Sequence, residues 1–425
     1  MAFPANYQAA RFQYHLMKLL FTAATAAAIT LVSPVVAASA AGTPRTAVTA
    51  SAYTVRGWGT NDDGSLGSGS GTLDALTPVK VKIPAGVTVT SIRAGCDHSV
   101  ALTKSGTLLA WGNNTFGQVG DGTFNERTTP VSVKLPKGTK VTAVRAGCED
   151  TIALTKAGTV LSWGIGQAGE LGDGKTKNSA SPVRVSLPKG TKVKAISAGC
   201  AHNLAVTASG KLYAWGANGF GQLGDGTHKT RSKPVLVKLP AGAKATGVSA
   251  GCDYTLALTS DGLFAWGLNA DGQLGTGNTN NQDVPVLITF LFRGSGPGTI
   301  TSIFAGCNFT IALFSKGGVL AWGYDGFGEL GDGGSATELK PVGVMLPTTI
   351  KVKAISAGCD DGYALSTAGQ VFAWGAGIDG ELGNAGSANS DVPVMVSNLT
   401  TIDPTAIGSG PGALHAFAIA LNHHA

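Results

Sequence analysis

Tryptophan occurs seven times, at Trp58, Trp111, Trp163, Trp215, Trp266, Trp322 and Trp374, always followed by glycine and spaced 51–56 residues apart. Such regularity means one supersecondary unit written seven times, and a period near 50 belongs to propellers and arrays rather than to a single-core enzyme domain. The stretch 139–187 serves as a specimen. Val141–Ala146 and Thr151–Thr155 alternate with period two, Thr159–Trp163 follows across Lys156-Ala157-Gly158, and Pro182–Val185 comes after a long Gly/Asp loop. Each repeat therefore predicts four short antiparallel strands, the outermost opening on a proline that suits an edge.

A four-stranded sheet of this size cannot bury both faces alone, so neighbouring copies must stack, and radial closure leaves only short protected edges. The expected fold is all-β, a seven-bladed propeller. Gly147-Cys148-Glu149-Asp150 is barely a turn, so the first two strands must be neighbours, and the Leu-Pro-Lys-Gly segment must cross to the next blade. The Ala- and Gly-rich first strand is then expected at the central shaft. Ala406–Gly410 and His415–Ile419 reproduce the first two strands of a repeat. Tyr53–Trp58 and Pro78–Val81 supply the missing third and fourth, so the last blade is expected to be shared by both ends of the chain.

Composition separates the first forty residues from the rest. Arg11 and Lys18 are their only charges, and Leu19–Val36 is apolar, ending near Ala38-Ser39-Ala40. Residues 1–40 read as a secretory signal cut after Ala40; a retained anchor is the alternative, which the Ala-x-Ala pattern disfavours. Residues 41–52 then form a short linker and 53–425 the propeller. Without the signal, 29 basic and 25 acidic residues leave a net charge of +4, too weak and scattered for a nucleic-acid footprint. A monomer outside the cytoplasm or in the cell envelope is expected, free of the membrane once the signal is cut.

The string Ala94-Gly95-Cys96-Asp97-His98-Ser99-Val100-Ala101-Leu102, with Trp111-Gly112-Asn113-Asn114 and Gly117-Gln118-Val119-Gly120, resembles the repeat of the regulator of chromosome condensation family. It recurs in Ala198–His202 with Trp215–Gly224, and the likeness runs from Tyr53 to Leu421. The resemblance implies a seven-bladed propeller and, with the export signal, a secreted bacterial-type member. That family also contains exchange factors for a small GTPase, a plant ultraviolet photoreceptor and secreted protein inhibitors, so fold does not fix function. The photoreceptor's sensing aromatic would fall on Cys96, Cys148 and their equivalents, where this chain has no aromatic.

All six cysteines share one repeat position: Cys96, Cys148, Cys200, Cys252, Cys307 and Cys359, with the seventh equivalent near Pro411. A ring of thiols at the shaft mouth follows if the preceding strand is innermost. Only one pairing of neighbours uses all six, Cys96–Cys148, Cys200–Cys252 and Cys307–Cys359; six buried thiols inherited by duplication are the equal alternative. No C-x-x-C pair or His cluster accompanies them, so no metal site is expected.

Other motifs dissolve in the repeat. Gly169–Thr176 fits a phosphate-loop pattern but lacks the following helix, and Asp-Gly turns such as Asp271-Gly272 lack the alternating acidic spacing of a calcium loop. His98, His202 and His415 stand at one position, filled elsewhere by Asp150, Tyr254, Phe309 and Gly362. A catalytic base should be singular, so no catalytic residue and no cofactor are expected. Beside the cysteines, Asp97, Glu149, Asp253, Asn308 and Asp360 vary; with His98, Asp150, Tyr254 and Phe309 they are the expected binding face. The reading is an exported non-catalytic scaffold for a protein or glycan partner. The alternatives are an exchange-factor-like regulator of a small GTPase and an inhibitor of a secreted enzyme.

Overall fold

A computed structural model describes residues 53–71, 74–289, 298–399 and 402–422. The expected signal and linker, 1–40 and 41–52, lie outside the described residues. The strands form seven four-stranded antiparallel sheets, six of them built from consecutive strands. In the specimen repeat these are Val141–Ala146, Asp150–Thr155, Val160–Gly164 and Ser179–Arg184, within a residue or two of the period-two runs except at the outer strand. The seventh sheet runs in the order Ala75–Lys80, Tyr53–Gly59, His415–Asn422, Ile402–Gly408, so the two ends of the chain close the wheel together.

First strands are innermost and touch one another around the ring. Ser197 Oγ accepts from Ala250 N at 3.0 Å, Ser249 Oγ from Ala305 N at 3.0 Å and Ser356 Oγ from Ser409 N at 3.1 Å, each from blade to blade. Close approach explains the small residues: a methyl group on Gly199 would overlap the carbonyl of Gly251. The hydrophobic cores lie between sheets rather than within them, as where Val100, Leu102 and Ala110 meet Val144, Leu161 and Trp163.

All seven tryptophans are fully buried, and each indole Nε1 donates to one carbonyl of the preceding blade's long loop. Trp111 reaches Ser65 O at 2.7 Å, Trp215 reaches Glu170 O at 2.7 Å and Trp58 reaches Glu381 O at 2.9 Å, the last across the junction of the two chain ends. The glycine after each tryptophan is equally required. Gly216 has φ +105°, and a methyl there would sit 2.5 Å from Ala201 O.

Strand alternation gives the wheel two unlike faces. Turns after the first strand and long loops after the third open on one face; hairpins after the second and the Leu-Pro-Lys-Gly crossovers open on the other. That second face exposes Lys104, Lys137, Lys156, Lys189 and Lys316, and Lys140 Nζ donates to Ser105 O at 2.8 Å across it. Among the described residues no helix is long and apolar enough to cross a membrane.

Candidate functional site

The cysteine turns meet around the shaft mouth. Backbone bonds join some neighbouring turns directly, with Cys96 N donating to Cys148 O at 3.2 Å and Cys307 N to Cys359 O at 3.0 Å. Three disulfides follow the neighbour pairing, Cys96–Cys148, Cys200–Cys252 and Cys307–Cys359, with Cα separations of 4.4, 4.4 and 4.7 Å. Sulfur nevertheless continues past each bridge: Cys252 Sγ lies 2.8 Å from Cys307 Sγ of the next pair.

The seventh position needs correcting. Cys359 N donates to Ala413 O at 2.8 Å, and Thr60 N to Leu414 O at 2.9 Å, so Ala413 and Leu414, not Pro411, take the places of a cysteine and its follower. Gly410 and His415 are five residues apart where Gly95 and His98 are three apart. The extra Pro411-Gly412 folds over the ring, where a methyl on Gly412 would overlap the sulfurs of Cys148 and Cys96.

His98, Asp150, Tyr254 and Phe309 are not on the binding face expected of them: each is at most 1% exposed, packed between blades. The reason is strand register, since these residues begin the second strand and point at the next sheet. His98 Nε2 lies 2.9 Å from Thr151 Oγ1, which itself donates to Gln118 O at 3.0 Å. Because the hydroxyl proton is spent on that carbonyl, the imidazole is the donor to the hydroxyl. Repetition makes this a joint: His202 meets Thr255 at 2.9 Å, His415 meets Ser99 at 2.8 Å, and Asp150 Oδ2 accepts from Asn203 Nδ2 at 2.6 Å. Burial lowers His98 to about 4 and His202 to about 3, so both stay neutral. The residue matching them in the sixth blade is Asp361, which opens its strand; Gly362 lies one place on, its missing side chain replaced by the Trp374 ring.

What remains at the surface is an acidic arc. Asp97 is exposed, Glu149, Asp253 and Asn308 are half-buried, and Asp360 is buried at 3%. Solvent reaches Asp97, yet the surrounding ring withholds much of the water and the charges of Asp63 and Asp62 add, raising its carboxyl to about 6. Glu149 is raised to about 7 by burial first, then by Asp97 and Glu170. Asp253 rises to about 6 through burial, against the 2.9 Å bond from Gln222 Nε2. Glu126 also feels Asp63, and Phe124, two residues before it, is 56% exposed. Sequence reading missed this loop because Phe124 has no counterpart in the other repeats; an aromatic breaking a Gly/Asp/Thr loop was the available signal.

Among known proteins, the family model of the RCC1-like domain matches residues 22–296, and that of the Regulator of chromosome condensation (RCC1) repeat matches 316–365 and 368–419. Ultraviolet-B receptor UVR8 of Arabidopsis thaliana is 33% identical over 345 residues, 81% of this chain and 77% of the receptor. E3 ubiquitin-protein ligase HERC2 of Homo sapiens is 32% identical over 366 residues, 83% of this chain but 7% of the ligase. Among solved structures, human WBSCR16 has a TM-score of 0.77 at 24% identity, covering 87% of this chain and 99% of that one. Yeast RCC1 (Prp20) bound to Kap60 has a TM-score of 0.76 at 22% identity, covering 92% and 97%. These two structural likenesses concern the fold.

Proposed function

Because the chain belongs to the regulator of chromosome condensation (RCC1) repeat family, we propose that it is an exported, non-catalytic propeller that binds a cationic protein surface on its cysteine-turn face. One observation carries the reading: Asp63, Asp97, Glu126 and Glu149 form an electrostatically connected arc beside the exposed Phe124. Such a patch has the polar-plus-aromatic makeup of a recognition site, presented on a rigid ring whose repeated residues are used up in the joints. Export is supported by the Leu19–Val36 segment with Ala38-Ser39-Ala40 and by the three disulfides, which persist in oxidising compartments.

His98, His202 and His415 support a non-catalytic role, since all three fill structural joints. A ligase activity is named for HERC2, of which this chain spans only 7%. The test is capture from culture supernatant with the 41–425 chain, wild type against the double charge reversal Asp97→Lys, Glu149→Lys. A basic protein retained by the wild type and lost by the reversal supports the reading; retention by both would sink it.

A further inference from the structure

Six cysteine sulfurs around one shaft mouth offer more than three crosslinks. Among the described residues two trios converge, Cys96–Cys148–Cys200 and Cys200–Cys252–Cys307, the sulfurs of each lying within 4.8 Å of one another. A thiolate-bound zinc-group ion has metal–sulfur bonds of about 2.3 Å, which puts its ligand sulfurs about 3.8–4.0 Å apart. The trios thus need little movement to close on such an ion. The strands that lead to these cysteines are held side by side apart from the bridges, by the Cys96 N to Cys148 O bond and the Ala250 N to Ser197 Oγ bond among others.

We propose that the reduced ring is a binding site for a soft d10 cation, with Cys96, Cys148 and Cys200 as its ligands. Two features single out this trio over the other. Gly412 of the two-residue insertion lies against all three of its sulfurs, so closely that an added methyl would come within 3.2 Å of Cys200 Sγ. Arg93 and Arg145 stand three residues before Cys96 and Cys148 on the inner strands, near enough to each other that the charge of Arg145 acts on Arg93, and the corresponding residues before Cys200 and Cys252 are Ser197 and Ser249. Positive charge near a cysteine favours the thiolate, the form that binds metal.

Opening the site requires a dithiol or phosphine reductant. Cys96–Cys148 and Cys200–Cys252 each take up two electrons and two protons, becoming two thiols apiece while the reductant is oxidised. The cation then displaces the thiol protons of its three ligands to solvent. In the oxidised protein the same sulfurs are committed to bridges and the site does not exist.

The experiment uses the full chain, reduced anaerobically with a phosphine and titrated with Cd(II), read by thiolate-to-metal charge-transfer absorption. Near-ultraviolet circular dichroism of the buried tryptophans reports whether the wheel is intact. One equivalent should bind the reduced chain and none the oxidised chain. Cys148→Ser should weaken binding at least about tenfold through loss of one ligand, whereas Cys252→Ser and Cys359→Ser should leave it unchanged. Loss with Cys252→Ser rather than Cys148→Ser would overturn the assignment. So would equal binding by all three variants, an absence of binding to the folded reduced chain, or collapse of the tryptophan signal on reduction.

Discussion

Asp325 is where one atom changes the chemistry of a repeated slot. In four other blades that slot holds asparagine, Asn61, Asn114, Asn218 and Asn269, and in two it holds glycine, Gly166 and Gly377. Asn114 Oδ1 accepts from Val119 N at 2.9 Å, while its Nδ2 donates to Thr123 O and Asn125 O, each at 2.9 Å. Asp325 keeps the first bond, accepting from Leu330 N at 2.8 Å, but its Oδ2 replaces the donor amide and is buried without a partner. Burial leads in raising its carboxyl to about 7, and Asp332, Asp391 and Glu338 add to it against the Leu330 bond. The folded pKa therefore exceeds the unfolded value of about 3.9, so the unfolded chain sheds its proton first and stability falls as pH rises from about 4 to about 7. Asp325→Asn restores the donor and removes the titration. It should stabilise the protein by about 1–3 kcal/mol at pH 8, shrinking toward pH 4, as measured by urea unfolding across that range. A variant no more stable than wild type at pH 8 would refute this account.

At the scale of elements, the joint between blades decides which residues are available for function. The carbonyl of Glu170 takes two donors from the next blade, Trp215 Nε1 at 2.7 Å and Asn203 Nδ2 at 3.0 Å. Trp215→Phe removes one bond and part of a fully buried ring, and should cost about 2–4 kcal/mol in urea unfolding while leaving face binding intact. The strands, the shared blade and the innermost strand were legible because period-two alternation and the Trp-Gly spacing encode them locally. Which cysteines would pair was legible because six positions on a sevenfold ring admit one complete set of neighbours, but pairing itself was not, since buried thiols fill the same positions equally well. Which way His98 or Tyr254 points was not, since it depends on the neighbouring sheet, which sequence does not place. A two-residue insertion likewise concealed that Ala413, not Pro411, occupies the seventh place. Phe124 escaped for the opposite reason: a residue unique to one loop carries no period to find it by.

At the scale of the whole propeller, the ring carries an acidic arc on one face and lysines on the other, and its first two and last two strands close it in one sheet. Its charge asymmetry makes partner binding depend on pH. With Asp97 at about 6 and Glu149 at about 7, the arc gains charge as pH rises through that interval, so capture of a cationic partner should strengthen from pH 5 to 8 and weaken with salt. Calorimetry or capture at graded pH checks this, and binding that weakens with rising pH would contradict it. Closure carries the firmest consequence. A chain starting at Pro84 lacks Tyr53–Gly59 and Ala75–Lys80, leaving the His415–Asn422 strand with only one of its two partners, Ile402–Gly408. It forfeits the Trp58–Glu381, Ser99–Ser65 and Trp111–Ser65 bonds and the buried side chains of Val55, Trp58 and Leu66. At about 1 kcal/mol per bond and about 1.5–3 kcal/mol per buried side chain, the loss exceeds about 5 kcal/mol, comparable to the whole stability of many domains. The truncated chain should therefore melt broadly and bind a hydrophobic dye, and adding a peptide of residues 49–83 should restore a cooperative transition. If the six remaining blades melted as sharply as the full wheel, the shared blade would be an ornament rather than the latch.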